Sequence, residues 1–178
     1  MPPNDGGGPP ASLDRRGFLA GAAALAVSGT ALIHAREAWG LEVKALKPDT
    51  MATLIAMARD IYPHDRLADR FYAVAVKSFD DKAAADPKMK AMIENGIADL
   101  DGRARKAFGT PYRTVGWEAQ RVTLLRQIEG GPLFKAVRPA LVVSLYNQKE
   151  AWPIFGYEGE SAGHGGYISR GFDDLTWL

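Results

Sequence analysis

The chain contains no cysteine. That excludes a disulfide framework, a lipoprotein-type cysteine anchor, covalent c-type haem attachment and cysteine-ligated iron–sulfur clusters within these 178 residues. Histidine is scarce, with three in all (His34, His64 and His164). There is no Gly-x-Ser-x-Gly elbow, no His-Glu-x-x-His zinc motif and no dinucleotide or P-loop glycine pattern. No basic cluster stands out and the net charge is +1, a poor basis for nucleic-acid binding. Beyond residue 40 no apolar run is long enough to suggest a membrane helix. No segment alternates like a strand ladder, and Val142-Val143 comes nearest.

What is present begins at Asp14-Arg15-Arg16-Gly17-Phe18-Leu19. Two arginines precede an apolar run, Phe18 to Ile33, that includes Gly21, Ser28, Gly29 and Thr30. This is short for a bilayer span, which takes about 20 apolar residues. A charged start followed by a short apolar core has the form of an export signal. The arginine pair with Phe18 and Leu19 resembles the twin-arginine type, although Asp14 and Ala20 depart from the usual flanks. The alternative is an amphipathic first helix, but the run has no polar face. Ala38-Trp39-Gly40 is the candidate cleavage triplet, placing a mature start near Leu41, with an uncleaved anchor as the other possibility.

Residues 1–13 are rich in Pro and Gly and too poor in apolar groups to pack. Residues 1–40 therefore read as a disordered N-terminus plus signal, and 41–178 as a single helical domain of ordinary size. Losing residues 1–40 removes three of 22 basic and three of 21 acidic residues, so the charge stays at +1.

Helical periodicity marks five segments. The first spans about Thr50 to Tyr62, with Asp49 or Thr50 as cap and Pro63 as stop. The second spans about Arg66 to Phe79, with Leu67, Phe71, Val74, Ala75 and Phe79 on one side. The third opens at Pro87 behind Asp86 and runs to Phe108, weakened at Gly96 and Gly102. The fourth covers Val115 to Glu129, with Trp117, Leu124, Leu125 and Ile128 aligned. The fifth covers Pro132 to Asn147, where Pro139 should kink the helix or start it afresh. Such elements joined by short polar turns predict an all-α fold, a compact bundle of about five helices. Met51, Met57, Met89 and Met92 fall mostly at core spacing.

Residues 151–178 differ, holding six glycines and six aromatics. That composition cannot make a long helix, yet disordered tails are poor in aromatics. It predicts an irregular tail pinned to a surface by aromatic burial. Trp152 and Phe155, directly after the fifth helix, are divided evenly between this chain's own helices and a partner. Tyr157, Tyr167, Arg170, Phe172, Asp173, Asp174 and Trp177 are the candidate partner-binding residues.

Two groups of residues invite a chemical reading. His64 with Asp65 and Asp69 has the residue types of a small metal or acid–base cluster, though Asp65 also suits a helix cap and His64 a turn. His164 lies in Gly163-His164-Gly165-Gly166, a glycine-rich turn of the kind that can cradle an anion. Nothing around it matches a phosphate motif.

Taken with the paired arginines, Tyr62-Pro63-His64-Asp65 and the tail are distinctive. The tail reads Trp152-Pro153-Ile154-Phe155-Gly156-Tyr157-Glu158-Gly159, then Gly165-Gly166-Tyr167, then Arg170 to Leu178. Together they resemble the gluconate 2-dehydrogenase subunit 3 family, over nearly the whole chain. The resemblance implies a small exported accessory subunit of a membrane-bound sugar or sugar-acid dehydrogenase. It implies FAD in a large partner subunit, haem c in a cytochrome c partner, and no catalytic residue or cofactor in this chain. It further implies that Arg15, Arg16, Phe18 and Leu19 carry a flavoprotein without its own signal through the twin-arginine machinery to the periplasm, where the complex associates with the inner membrane. Two other readings stay open. One is a small periplasmic enzyme using His64 with Asp65 or Asp69; the other is a free-standing ligand-binding helical domain.

Overall fold

A computed structural model of the chain describes residues 43–168. The arginine pair with Phe18 and Leu19, and Arg170, Phe172, Asp173, Asp174 and Trp177, lie outside the described residues. Five α-helices follow one another: α1 (Pro48–Ile61), α2 (Asp69–Ala85), α3 (Pro87–Phe108), α4 (Glu118–Ile128) and α5 (Pro132–Tyr146). Three 3-10 turns complete the path: η1 (Tyr112–Thr114), η2 (Lys149–Phe155) and η3 (Ser161–His164). Among the described residues there is no strand, and the architecture is an all-α bundle.

The helix limits follow from local chemistry. Asp86 caps α3 by accepting from the Lys88 amide at 2.8 Å, and Pro87 occupies the first helical position. Gly109 ends α3 with φ 74°, a left-handed conformation in which its amide returns to the Arg105 carbonyl. At α1 the expectation of an Asp49 or Thr50 cap is corrected. Lys47 stands at the cap without a side-chain bond, and Glu94 from α3 takes the Lys47 amide (2.8 Å) and the Thr50 hydroxyl (2.7 Å). A tertiary contact thus pins the start of the helix through the cap residue's amide and a side-chain hydroxyl rather than through the first-turn amides.

α2 begins at Asp69, later than its periodicity suggests, and runs on to Ala85. Its cap position is Ala68, so Asp65 does not cap it. Arg59 holds the intervening turn instead, donating to the Leu67 carbonyl (2.8 Å) and pairing with Asp69. Beyond Phe79, Lys77 bonds both Asp80 and Asp81, neutralising charges that would otherwise oppose continuation near the helix C-terminus. α4 starts at Glu118; Trp117 is its cap residue and is 76% exposed rather than in the core. Pro139 does not restart α5, which is continuous across it. Pro139 is exposed, so the carbonyl its ring deprives of a partner can turn to water.

α2 packs against α1, α3 and α5, while α1 and α3 each also meet α4 and α5. Leu54, Met57, Tyr72, Phe79, Ile93, Leu100, Leu124, Leu141 and Leu145 are fully buried between them. Met51 is buried, and Met89 and Met92 pack against this core from its edge. Val74 and Phe108, expected inside, are instead half-exposed at 51% and 38%. No helix among the described residues is long and apolar enough to cross a membrane.

Candidate docking face

The end of α5 and the root of the tail form one surface with the turn between α1 and α2. Gln148 anchors it: its side-chain amide donates to the Phe71 carbonyl of α2 and to the Ser144 carbonyl, both at 2.9 Å. η2 then folds back, with Ala151 fully buried. The Trp152 indole donates to the Tyr146 carbonyl at 2.9 Å. Phe155 lays its ring edge-on to His64, 5.1 Å between centroids, and 5.7 Å from Tyr146. Tyr62 meets Tyr146 edge-on at 5.9 Å. The Tyr62-Pro63-His64 turn and the Trp152–Phe155 segment, far apart in sequence, are thus one aromatic cluster within this chain. Such edge-on pairs stabilise by about 0.5–1.5 kcal/mol beyond the area they bury.

His64 is not gathered with Asp65 and Asp69. Its Nε2 lies 2.7 Å from the Tyr146 hydroxyl, Asp69 is taken by Arg59, and Asp65 is exposed. Burial lowers the His64 pKa, the Arg59 charge lowers it further, and Asp65 opposes them weakly. Burial also raises the Tyr146 pKa, and the nearby Tyr62 adds to the effect. Both groups are therefore neutral at pH 7, joined by an uncharged hydrogen bond. Among the described residues, no group of three His, Cys, Asp or Glu side chains is placed to hold a metal.

Beside the cluster runs an open groove of about 610 Å³ between the start of α2 and η2. Phe71 and Val74 form its apolar floor, Gln148 its end, and Arg70 and Glu150 its rim. The Arg70 guanidinium lies 4.8 Å from the Phe71 ring centre, a cation–π contact.

Gly156, in the left-handed region at φ 72°, ends η2. Tyr157 is half-exposed and packs edge-on against Trp152 at 5.1 Å. Gly159 turns closely over the Trp152 ring at φ 111°. The His164 ring approaches the Glu158 carbonyl at 3.3 Å, so the glycine-rich turn closes on itself. Tyr167 is 59% and Ile168 92% exposed. Of the candidate partner-binding residues that are described, Tyr167 presents its ring to solvent and Tyr157 shares its ring with Trp152.

Two polar clusters went unread in the sequence. Asp60, in α1, accepts from Arg121 Nε (2.7 Å), Arg121 Nη2 (2.9 Å) and the Tyr112 hydroxyl (2.6 Å). Asp80, in α2, is fully buried and accepts three backbone amides. Each stands in helical register with core residues, Met57 before Asp60 and Val76 and Ala83 around Asp80. An acidic side chain at a core position was the available signal.

No protein-family model, curated protein or solved structure matches this chain.

Proposed function

We propose that this chain is a non-catalytic accessory subunit of a periplasmic, membrane-associated dehydrogenase of sugars or sugar acids. Its N-terminal segment directs twin-arginine export of a FAD-containing large subunit, and its tail docks on that subunit. FAD and haem c reside in the partners. The resemblance in the tail and in the Tyr-Pro-His-Asp turn motivates the reading. The observation that supports it is how self-packing thins along the tail. Trp152 and Phe155 contact the bundle, Phe155 while still 39% exposed, and exposure rises along the tail through Tyr157 (44%) and Tyr167 (59%) to 92% at Ile168. Exposed aromatic and branched side chains on a short segment are the usual anchors of an interface. The enzyme reading is weakened because His64 has Tyr146 and Phe155, rather than two carboxylates, as its neighbours.

The test combines two variants in cells that carry the full complex. Arg15→Lys with Arg16→Lys keeps the charge but removes the paired guanidinium groups. Dye reduction by sugar acid and flavin content should then stay in the cytoplasmic fraction. A chain ending at Gly156 should keep its helical far-UV signal and stability yet no longer co-purify with flavin. Periplasmic flavoprotein in the double-lysine strain, or turnover by the isolated chain, overturns the proposal.

A further inference from the structure

The first described residues are gripped in an unusual way. The amides of Lys44, Ala45 and Leu46 all point at Asp80, at 2.8, 2.9 and 2.9 Å. Lys77 completes the carboxylate at 2.7 Å. Lys44 Nζ reaches Asp81 at 3.0 Å, and the next amide, Lys47, goes to Glu94 at 2.8 Å. Leu46 is buried, and Val43 and Ala45 pack against the core. Four consecutive backbone donors outside any helix are thus committed to two carboxylates on two different helices. Burial alone would raise the Asp80 pKa. The amides of Leu46 and Lys44, the Lys77 ammonium and the Ala45 amide outweigh it and hold the carboxyl well below the usual range.

We propose that Asp80, with Glu94, is a fold-dependent latch that fixes residues 44–47 on the bundle and sets the point where proteolytic trimming from the N-terminal side stops. An endopeptidase hydrolyses a peptide bond, with water, only in extended backbone that can pair with its own cleft. Residues 44–47 offer no such backbone while their amides are held by Asp80 and Glu94. Trimming that advances along the chain therefore halts where the held amides begin. The latch forms only when α2 and α3 are packed, so the boundary itself reports that the bundle has folded. This inference concerns the folded chain alone and does not depend on the dehydrogenase reading. A chain with no flavoprotein partner would show the same boundary.

The experiment is limited digestion of the purified full chain with a broad-specificity endopeptidase, the surviving core being read by intact mass. Amide exchange is followed in parallel. The wild-type core should begin at Val43 or Lys44, with the amides of Lys44 to Leu46 protected, and a core that starts well before Val43 would also overturn the proposal. Asp80→Asn, which keeps shape but removes the charge, should move the boundary to the start of α1. It should also speed exchange at these amides by roughly tenfold or more, since hydrogen bonds to a charged group are stronger than those to a neutral one. Cuts between residues 44 and 47 of the folded wild type overturn the proposal. So does a folded Asp80→Asn chain with an unchanged boundary and unchanged exchange. Should that variant fail to fold, the wild-type exchange decides: protected amides support the latch, and freely exchanging ones refute it.

Discussion

Two glycines inside α3 should respond to the same substitution with opposite signs. In the interior of a helix, replacing Gly by Ala stabilises by about 1 kcal/mol, chiefly through the unfolded chain. At Gly102 a Cβ would meet nothing within 4 Å. Gly102→Ala should therefore deliver that gain, raising the melting midpoint by about 3–5 °C for a domain of this size. At Gly96 a Cβ would lie 2.7 Å from Leu133 Cβ and 2.9 Å from its Cδ2. Leu133 is buried in the first turn of α5, and a Cβ cannot rotate away, so the two helices must separate. Overpacking costs about 1–3 kcal/mol, which cancels or exceeds the propensity gain. Gly96→Ala should be neutral at best and destabilised by up to about 2 kcal/mol. Urea titration of both variants, followed by far-UV circular dichroism, measures the difference. A double-mutant cycle with Leu133→Gly, which removes the Cβ that stands 2.7 Å away, should show favourable coupling of about 1 kcal/mol or more. Equal stabilisation by the two alanines would refute the close approach of α3 and α5.

Other outcomes are as open to measurement. Ser144 Oγ is buried without a hydrogen-bond partner, so Ser144→Ala should stabilise by up to about 1 kcal/mol in the same titration. Arg121→Met strands the buried Asp60 carboxylate with Tyr112 alone and should cost about 3 kcal/mol; a loss below about 1 kcal/mol would contradict the observed pairing. His64 has its folded pKa below the unfolded value of about 6.5. Below pH 6.5 the unfolded chain therefore binds more protons, and stability falls until the pH has passed the folded pKa. Melting midpoints of wild type should decline on acidification through this window more steeply than those of His64→Gln, and parallel curves would sink that assignment.

The bundle is legible where local chemistry decides. Asp86-Pro87 and Gly109 bracket α3 at the residues expected, because a cap, a proline and a left-handed glycine need no distant partner. Legibility fails where a distant side chain substitutes for local chemistry. The start of α1 is pinned by Glu94 and the α2 entry is held by Arg59, and neither is visible in the segment it controls. Trp117 shows the limit of periodicity. It aligns with Leu124 and Ile128, but the helix starts just after it and its ring lies outside. For His64 the sequence offers the nearby Asp65 and Asp69 as partners, whereas the fold supplies Tyr146 and Phe155 from far along the chain.

The same contrast divides the tail. Composition alone treats residues 151–178 as one aromatic, glycine-rich unit. Within the described part, residues 151–168, the fold distinguishes a root that touches the bundle from a more exposed continuation. Up to Phe155, each large aromatic side chain has a partner on the bundle that fixes its position: the Tyr146 carbonyl for Trp152, and the His64 and Tyr146 rings for Phe155. Beyond Gly156, Tyr157 leans on Trp152, the following residues close on one another, and exposure climbs. Among the described residues, the ring contact of this segment is Tyr157 on Trp152, little apolar burial to set against the entropy of holding the segment in place, about 1–2 kcal/mol per residue. In the proposed reading, the exposed Tyr167 and Ile168 are what a partner surface would cover. At each end of the described bundle a side chain holds the chain in place: Asp80 takes the amides of residues 44–46, and the Trp152 indole binds the Tyr146 carbonyl.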